Sequence, residues 1–346
     1  MPEAGAVVAN PGAKSDVAGQ ARILTYSEAL REALQEEMRR DERVFVMGEE
    51  VAVWGRQGGI FRVTEGLIAE FGADRVRDTP LSEAGIAGVA VGAAVTGLRP
   101  VAEIMYIDFM TLAMDQLVNQ AAKLRYMFGG KASVPLVIRV QGGAGRGNAA
   151  QHSQNLEAWF THIPGIHVVV PSTPADAKGL LKTAIRDDNP VLFIEHKALY
   201  FTKGPVPAGE YTIPFGVAEV KRTGRHCTFV GYHHVLLKGL EAAEVLAREG
   251  IELEVIDPRT LSPLDIQTIV ESVKKTGKLV VGHEAYEKGG VAGEIITQVV
   301  ARAFDYLDAP PKRVCAKNCP IPYNSSLEAA AIPQVEDIVR AVREIL

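Results

Sequence analysis

A single carboxylate, Glu83, stands at the start of a Gly-, Ala- and Val-rich segment that carries no further charge until Arg99. The preceding "RVRDTP" predicts a short strand, so Glu83 should open the following helix. An apolar site would raise the pKa of this carboxyl group, because burial disfavours the charged form, and the group could then share a proton with the ring nitrogen of a bound heterocycle. A first-turn carboxylate can equally well offset the helix dipole, and the spacing leaves both interpretations open.

The residues after Glu83 give the predicted helix one face without side chains. Gly85, Gly88 and Gly92 recur three and four residues apart, so they share that face. Another element can approach such a face closely. Packing inside one domain and contact between subunits would use it equally.

His152 is the second residue that could take part in chemistry. It follows "QGGAGRGN", a loop with enough glycine to move. A histidine titrates near neutral pH and can transfer protons. The alternative interpretation is an ordinary solvated loop histidine.

The elements that must position these residues alternate between strand and helix. Thr25 and Glu28 form a T-x-x-E capping box before an amphipathic helix, and Thr173 caps another helix. One continuous helix is predicted over residues 109–127. The alternation predicts an α/β fold of two doubly wound domains with mainly parallel sheets, which bind ligands beyond the carboxyl ends of their strands.

Residues 203–215, "KGPVPAGEYTIPF", are rich in Pro and Gly and interrupt the alternation, as a linker would. They divide the chain into a first domain at 21–202 and a second domain at 216–346. The first 20 residues lack the pattern of a secretory signal and are interpreted as a flexible extension.

Composition excludes several classes of protein. A net charge of -5 with 23% charged residues does not favour nucleic acid as a partner, and the longest apolar segment is too short and Gly-rich to cross a membrane. Three cysteines without a zinc-binding pattern indicate buried thiols in a reducing compartment. We therefore expect a soluble cytoplasmic protein.

Several motifs occur in the order and spacing of a known family. They include "GEE", "DTPLSEAGIAG", "GLRPVAEI", "AAQHSQNLEAWFTHIPG", "PSTPADAKGLLKTAIRDDNP" and "AIPQVEDI". From about residue 22 to the C-terminus, the chain resembles the β chain of the thiamine-diphosphate-dependent first component of 2-oxo acid dehydrogenase complexes. The resemblance is to the pyruvate or acetoin type, and it implies a transketolase-like pyrimidine-binding domain followed by a transketolase-type C-terminal domain.

The resemblance assigns roles to individual residues. Glu83 would hydrogen-bond the aminopyrimidine of the cofactor and activate it, while Glu49, Leu81 and Phe109 would line the same pocket. His152 would lie on the active-site channel and assist proton transfer or acylation of the lipoyl group. Backbone oxygens would also hold a structural potassium ion at Leu136, Ala184, Ile185, Asp187 and Asn189. A helix end and a tight turn explain most of that last pattern without an ion.

A G-D-G diphosphate motif does not occur in the chain. The resemblance therefore implies a cofactor shared with an α subunit that carries the magnesium site, in an α2β2 heterotetramer. The acyl product would pass to the lipoyl domain of the acyltransferase component. Acetoin and branched-chain 2-oxo acids are alternative substrates to pyruvate. A self-sufficient transketolase-like enzyme fits the length and motifs poorly, and an assembly scaffold without catalysis is the non-enzyme alternative.

Overall fold

The computed structural model describes residues 21–52 and 58–346. The predicted extension at residues 1–20 lies outside these ranges. Within them strands and helices alternate along the chain, so the predicted α/β class with mainly parallel sheets is confirmed.

The first half of the described chain contains eight strands and seven α-helices. The strands are β1 (Arg22–Thr25), β2 (Val44–Gly48), β3 (Val76–Asp78), β4 (Arg99–Ile104), β5 (Val137–Gly142), β6 (His167–Val169), β7 (Val191–His196) and β8 (Lys203–Val206). The helices are α1 (Tyr26–Arg40), α2 (Leu67–Phe71), α3 (Glu83–Val95), α4 (Met110–Met114), α5 (Ala122–Met127), α6 (Glu157–Thr161) and α7 (Pro174–Arg186).

The second half contains six strands and five α-helices among the described residues. The strands are β9 (Glu219–Arg222), β10 (Cys227–Gly231), β11 (Leu253–Asp257), β12 (Thr260–Ser262), β13 (Leu279–Tyr286) and β14 (Lys312–Ala316). The helices are α8 (His233–Ala247), α9 (Ile266–Thr276), α10 (Val291–Ala303), α11 (Ser325–Ala331) and α12 (Val335–Arg343).

Two sheets organise these elements. The described strands of the larger sheet lie in the order β12-β6-β7-β5-β4-β2-β3, and those of the smaller sheet in the order β14-β13-β10-β11-β9. Within these two sheets neighbouring strands are parallel except at β12 and β9, which lie at sheet edges. Because β2, β3, β4, β5 and β7 are parallel, the loops after them emerge at one edge of the larger sheet.

The two halves are closely joined. Strand β12 comes from the second half of the chain but pairs with β6 of the larger sheet. The largest hydrophobic cluster also continues from one sheet to the other, because Ile104 of β4 and Ile256 of β11 both belong to it. Strand β8, inside the predicted linker, pairs antiparallel with β1. The domain bounds at 203–215 stay a prediction.

The predicted helix caps are confirmed, whereas one predicted helix differs in its internal geometry. Thr25 and Glu28 form the predicted capping box, and the Thr173 side chain accepts from the Asp176 N–H. The long helix predicted over 109–127 is present, but it is not uniformly α-helical: 107–109 form a 3₁₀ turn and 115–121 form a π-helical segment. Sequence periodicity does not reveal the single extra residue of a π-turn.

All three cysteines are free thiols, but Cys319 is exposed, so the prediction of three buried thiols is wrong for that residue. A membrane-spanning helix would have to be longer and more apolar than any helix in the described part of the chain.

Candidate functional site

A cavity of about 430 Å³ opens beside the carboxyl ends of β2, β3 and β4. It mixes acidic groups with apolar ones. The residues that line it are Glu49, Glu50, Ile60, Thr79, Pro80, Leu81, Met105 and Tyr106. The sheet topology therefore brings the predicted pocket residues Glu49 and Leu81 to one cavity.

Glu49 is the perturbed carboxyl group of this cavity. Glu49 follows β2 directly and is only 6% exposed. Its Oε1 atom accepts no hydrogen bond from the described residues. Burial raises the pKa of Glu49 to about 7, and the nearby charges of Glu83, Glu103 and Glu50 add to the effect. Near neutral pH this carboxyl group therefore exchanges a proton easily.

Glu83, the first residue of α3, is not itself among the residues that line the cavity. Its charge is close enough to raise the pKa of Glu49. The sequence predicted a buried acid at this position, but Glu83 is only half-buried in the single chain. The reason is local: α3 begins on the surface, where Ser82 and Gly85 are exposed, whereas Glu49 continues a buried strand.

The carboxylate of Glu83 accepts no hydrogen bond from residues 21–52 or 58–346. Leu81, at the rim of the same cavity, is 81% exposed. Both side chains are therefore available to a molecule that enters from outside the chain.

Three aromatic rings extend the site away from this cavity. The His152 ring lies 5.2 Å from the Phe109 ring and 5.9 Å from the Tyr106 ring, both edge to face. Phe109 contacts His152 and does not line the cavity in the described structure. Tyr106 lines the cavity and so connects His152 to it. The sequence analysis missed Tyr106, although its position just after β4 could have indicated it.

A buried ionic network lies in the strands beneath the site. Arg139 on β5 is fully buried, and its guanidinium donates to Glu195 on β7 at 2.6 and 2.8 Å and to Glu103 on β4 at 2.6 Å. Burial lowers the pKa of Arg139, but the two carboxylates more than offset this and raise it. Tyr200 also donates to Glu195. Nothing in the sequence indicates this network, because the segment that contains Arg139 resembles an ordinary apolar strand.

Three of the residues predicted to hold potassium, Ala184, Ile185 and Asp187, lie at the C-terminal end of α7. The carbonyl oxygens of these two residues both accept from the Arg99 guanidinium at 3.0 Å. The Asp187 carboxylate accepts from the backbone and side-chain nitrogens of Asn189, each at 2.8 Å. Ala184 is buried nearby, and the Leu136 carbonyl accepts from a strand N–H. A cation, Arg99, thus already binds two of these carbonyls, and the potassium site stays a prediction.

Comparison with protein families identifies both halves of the chain. Residues 23–203 match the family described as "Transketolase, pyrimidine binding domain", and residues 216–338 match "Transketolase, C-terminal domain". The first match covers the cavity, Glu83 and His152.

Curated relatives are similar over nearly the whole chain. The pyruvate dehydrogenase E1 component subunit beta of Rhizobium meliloti is 50% identical over 323 residues, which are 93% of this chain and 70% of that protein. The acetoin:2,6-dichlorophenolindophenol oxidoreductase subunit beta of Cupriavidus necator is 49% identical over 94% of this chain and 98% of that protein.

A solved structure has the same fold. It is described as "Split gene transketolase, inactive beta4 tetramer", and it superimposes with a TM-score of 0.73 over 93% of this chain and 98% of that one. At 23% sequence identity this likeness carries the fold alone.

Proposed function

Because this chain belongs to the family of β subunits that includes pyruvate dehydrogenase E1 and acetoin oxidoreductase subunits, we propose that it catalyses oxidative decarboxylation of pyruvate with an α subunit. The acyl product passes to a lipoyl-lysine of the second component of the complex. Acetoin is the second candidate substrate, because the acetoin-type relative is 49% identical and 98% of its length is matched.

The cofactor of this reaction is thiamine diphosphate, which when bound supplies the electron sink that decarboxylation of a 2-oxo acid requires. The cavity fits its pyrimidine end. Glu49 Oε1 and Thr79 Oγ1 are buried polar atoms that accept or donate no hydrogen bond within the described chain, and both residues line the cavity. Unpartnered buried polar atoms are costly, so a ring with donors and acceptors would satisfy them. This is the observation that carries the proposal.

The two carboxyl groups take different parts. Glu83 is half-buried and open to an incoming ring, so it is the group that holds a proton at the ring nitrogen. Glu49 is the more deeply buried of the two and has a pKa of about 7, raised first by burial and then by the charge of Glu83. Close carboxyl groups disfavour double ionisation, so Glu49 is only partly ionised near neutral pH.

The α subunit supplies what this chain lacks. No diphosphate motif occurs in the sequence, so the charged end of the cofactor and its magnesium ion belong to the partner. The outer face of α3 supports the same conclusion: Gly85 and Gly92 are exposed, and Val89 is 61% exposed. Exposed Leu81 continues this apolar surface to the cavity rim. We place the α subunit there, in an α2β2 heterotetramer.

His152 serves the later part of the reaction. Its ring is half-buried between Tyr106 and Phe109, beside a residue that lines the cavity. That position suits a group that transfers a proton during acyl transfer to the lipoyl domain. We also propose that a potassium ion binds at the end of α7. We further propose that the protein is cytoplasmic.

The test is to purify the chain with its α partner and measure turnover of pyruvate, acetoin and branched 2-oxo acids with an artificial electron acceptor. We expect turnover of pyruvate to be fastest. Preferential turnover of acetoin would select the second candidate. Absence of turnover with all three, in a complex that has assembled and binds thiamine diphosphate, would contradict the proposed function.

A further inference from the structure

The loop that carries His152 has no regular backbone structure of its own. Residues 143–152, here called the His152 loop, connect β5 to the segment that ends at α6. Gly143, Gly145, Gly147 and Ala149 all have positive φ, between 60° and 92°. Such a backbone makes few of the hydrogen bonds of helices or strands, so other groups must fix its shape.

Lys197 joins the two ends of this loop. The residue is 1% exposed, and its ammonium group donates to the carbonyl oxygen of Gly143 at 3.2 Å and to that of His152. One cation therefore binds the first and the last residue of the loop. Ionised donors make stronger hydrogen bonds than neutral ones, so this link is a strong one.

The same ammonium group also contacts the aromatic part of the site. It lies 4.4 Å from the centroid of the Tyr106 ring, within the range of a cation–π interaction. Tyr106 lines the cavity and packs against the His152 ring. Lys197 therefore contacts both the backbone of His152 and a ring that lines the cavity. Lys197 itself is not among the residues that line the cavity.

Carboxylates hold the N–H groups on the other side of the loop. Glu328 accepts from Gly145 at 2.9 Å and from Gly147 at 3.1 Å, and Glu284 accepts from Ala144 at 2.7 Å. Both carboxylates come from the second half of the chain. The His152 loop is thus fixed by an ammonium group on its carbonyl side and by two carboxylates on its N–H side.

Gly143 has a further packing requirement. A Cβ atom there would lie 2.1 Å from Nε2 of His196, whose ring bonds to Glu284 at 2.8 Å. The loop therefore passes against a fixed side chain and has little room to shift. This contact adds to the geometry that the charged groups impose.

We propose that Lys197 is a positioning residue whose ammonium group holds His152 beside the cavity for acyl transfer. The inference rests on the proposed role of His152. Burial lowers the pKa of Lys197 to about 8, against the opposing charges of Asp108, Glu284 and Glu328. Lys197 is then largely protonated at neutral pH, as the contacts with two carbonyl groups require.

The experiment uses the complete enzyme with its α partner and three variants of this chain. Lys197→Met removes the charge and donors but keeps the apolar stem, and Lys197→Arg restores the charge. Lys238→Met is the matched control, because Lys238 is also buried and donates to a backbone carbonyl, that of Pro333. His152→Ala gives the kinetic effect of removing the imidazole itself.

The first readout is hydrogen exchange of the loop amides, which requires no activity. We expect Lys197→Met to exchange faster over residues 143–152, and Lys197→Arg and Lys238→Met to exchange as the wild type does. Wild-type protection in Lys197→Met would overturn the inference whether or not the proposed reaction is correct. If Lys197→Met does not fold, Lys197→Gln provides the same readout, with faster exchange expected over residues 143–152 and wild-type protection again overturning the inference.

The second readout separates the two parts of the reaction. We expect Lys197→Met to lower acyl transfer to the lipoyl domain by about 10- to 100-fold, as a displaced catalytic group does. Decarboxylation with an artificial acceptor should change by less than about threefold, since Lys197 does not line the cavity. Adding His152→Ala should cause no further loss. An equal fall in both reactions, or full additivity of the two substitutions, would contradict a positioning role.

Discussion

The raised pKa of Glu49 predicts how the free energy of unfolding depends on pH, and the size of that effect can be calculated. In an unfolded chain this group loses its proton near its ordinary pKa of 4.5, whereas in the folded chain it does so near pH 7. The folded state therefore binds more protons between these pH values, so stability falls as pH rises from 4.5 to 7. The difference corresponds to about 3 kcal/mol at about 1.4 kcal/mol for each pKa unit.

Glu49→Gln removes this penalty, because glutamine has no proton to lose and occupies nearly the same volume. Solvent in the adjacent cavity reduces the effect, so we expect a gain of about 1–3 kcal/mol in the free energy of unfolding at pH 8. At pH 5 most of the gain should vanish. The measurement is urea unfolding of the full chain without its partner or cofactor at both pH values.

Glu50→Gln is the matched control, because Glu50 is adjacent and lines the same cavity but is exposed. We expect this variant to change the unfolding free energy by less than about 0.5 kcal/mol at either pH. Equal stabilisation by Glu49→Gln at pH 5 and pH 8, or destabilisation at pH 8, would refute the assignment of the raised pKa to a buried, unpartnered carboxyl group.

Three further predictions concern other parts of the chain. Glu83→Gln, in the assembled complex, should lower decarboxylation with an artificial acceptor by at least about 100-fold while assembly persists, and near-normal turnover would contradict its role. Arg139→Met leaves two carboxylates buried without a counter-charge, and it should cost about 3–5 kcal/mol in urea unfolding; a loss below about 1 kcal/mol would count against the network. Gly92→Leu should prevent co-purification of the α subunit without unfolding this chain, since no described atom lies within 4 Å of a Cβ there. Gly293→Leu, on another helix and equally open, is its control and should still assemble.

The placement of the site follows largely from the sequence. Alternating strands and helices predict a parallel sheet, and the ligand-binding edge of such a sheet follows from topology. Glu49, Tyr106 and His152 come after β2, β4 and β5, and Glu83 opens the helix after β3. Their proximity therefore requires only the order of the strands. The resemblance to a known family supplied the chemistry that topology alone leaves open.

The depth of each side chain did not follow from the sequence. Glu83 was expected to be the buried acid, but Glu49 is the one that its strand carries inside. Tertiary packing decides which of two neighbouring loops is covered by other parts of the chain. Sequence periodicity carries no information about that packing. The same limit applied to Phe109, which packs against His152 and not in the cavity.

Long-range polar contacts were also beyond the sequence analysis. Arg139 lies 36 residues from Glu103 and 56 residues from Glu195, and nothing local in the strand indicates that it will be paired. Lys197 contacts carbonyl groups 54 and 45 residues away. Such pairings arise only when neighbouring strands and loops come together, so they become visible only in the structure.

The central claim is that this chain binds only the pyrimidine end of a cofactor whose diphosphate end is held by another subunit. Calorimetric titration of thiamine diphosphate with magnesium tests it directly, using this chain alone, the α subunit alone and the assembled complex. The account predicts tight binding by the complex and at least about 100-fold weaker binding by this chain, because its sequence contains no G-D-G motif. Tight, magnesium-dependent binding by this chain alone would contradict the claim.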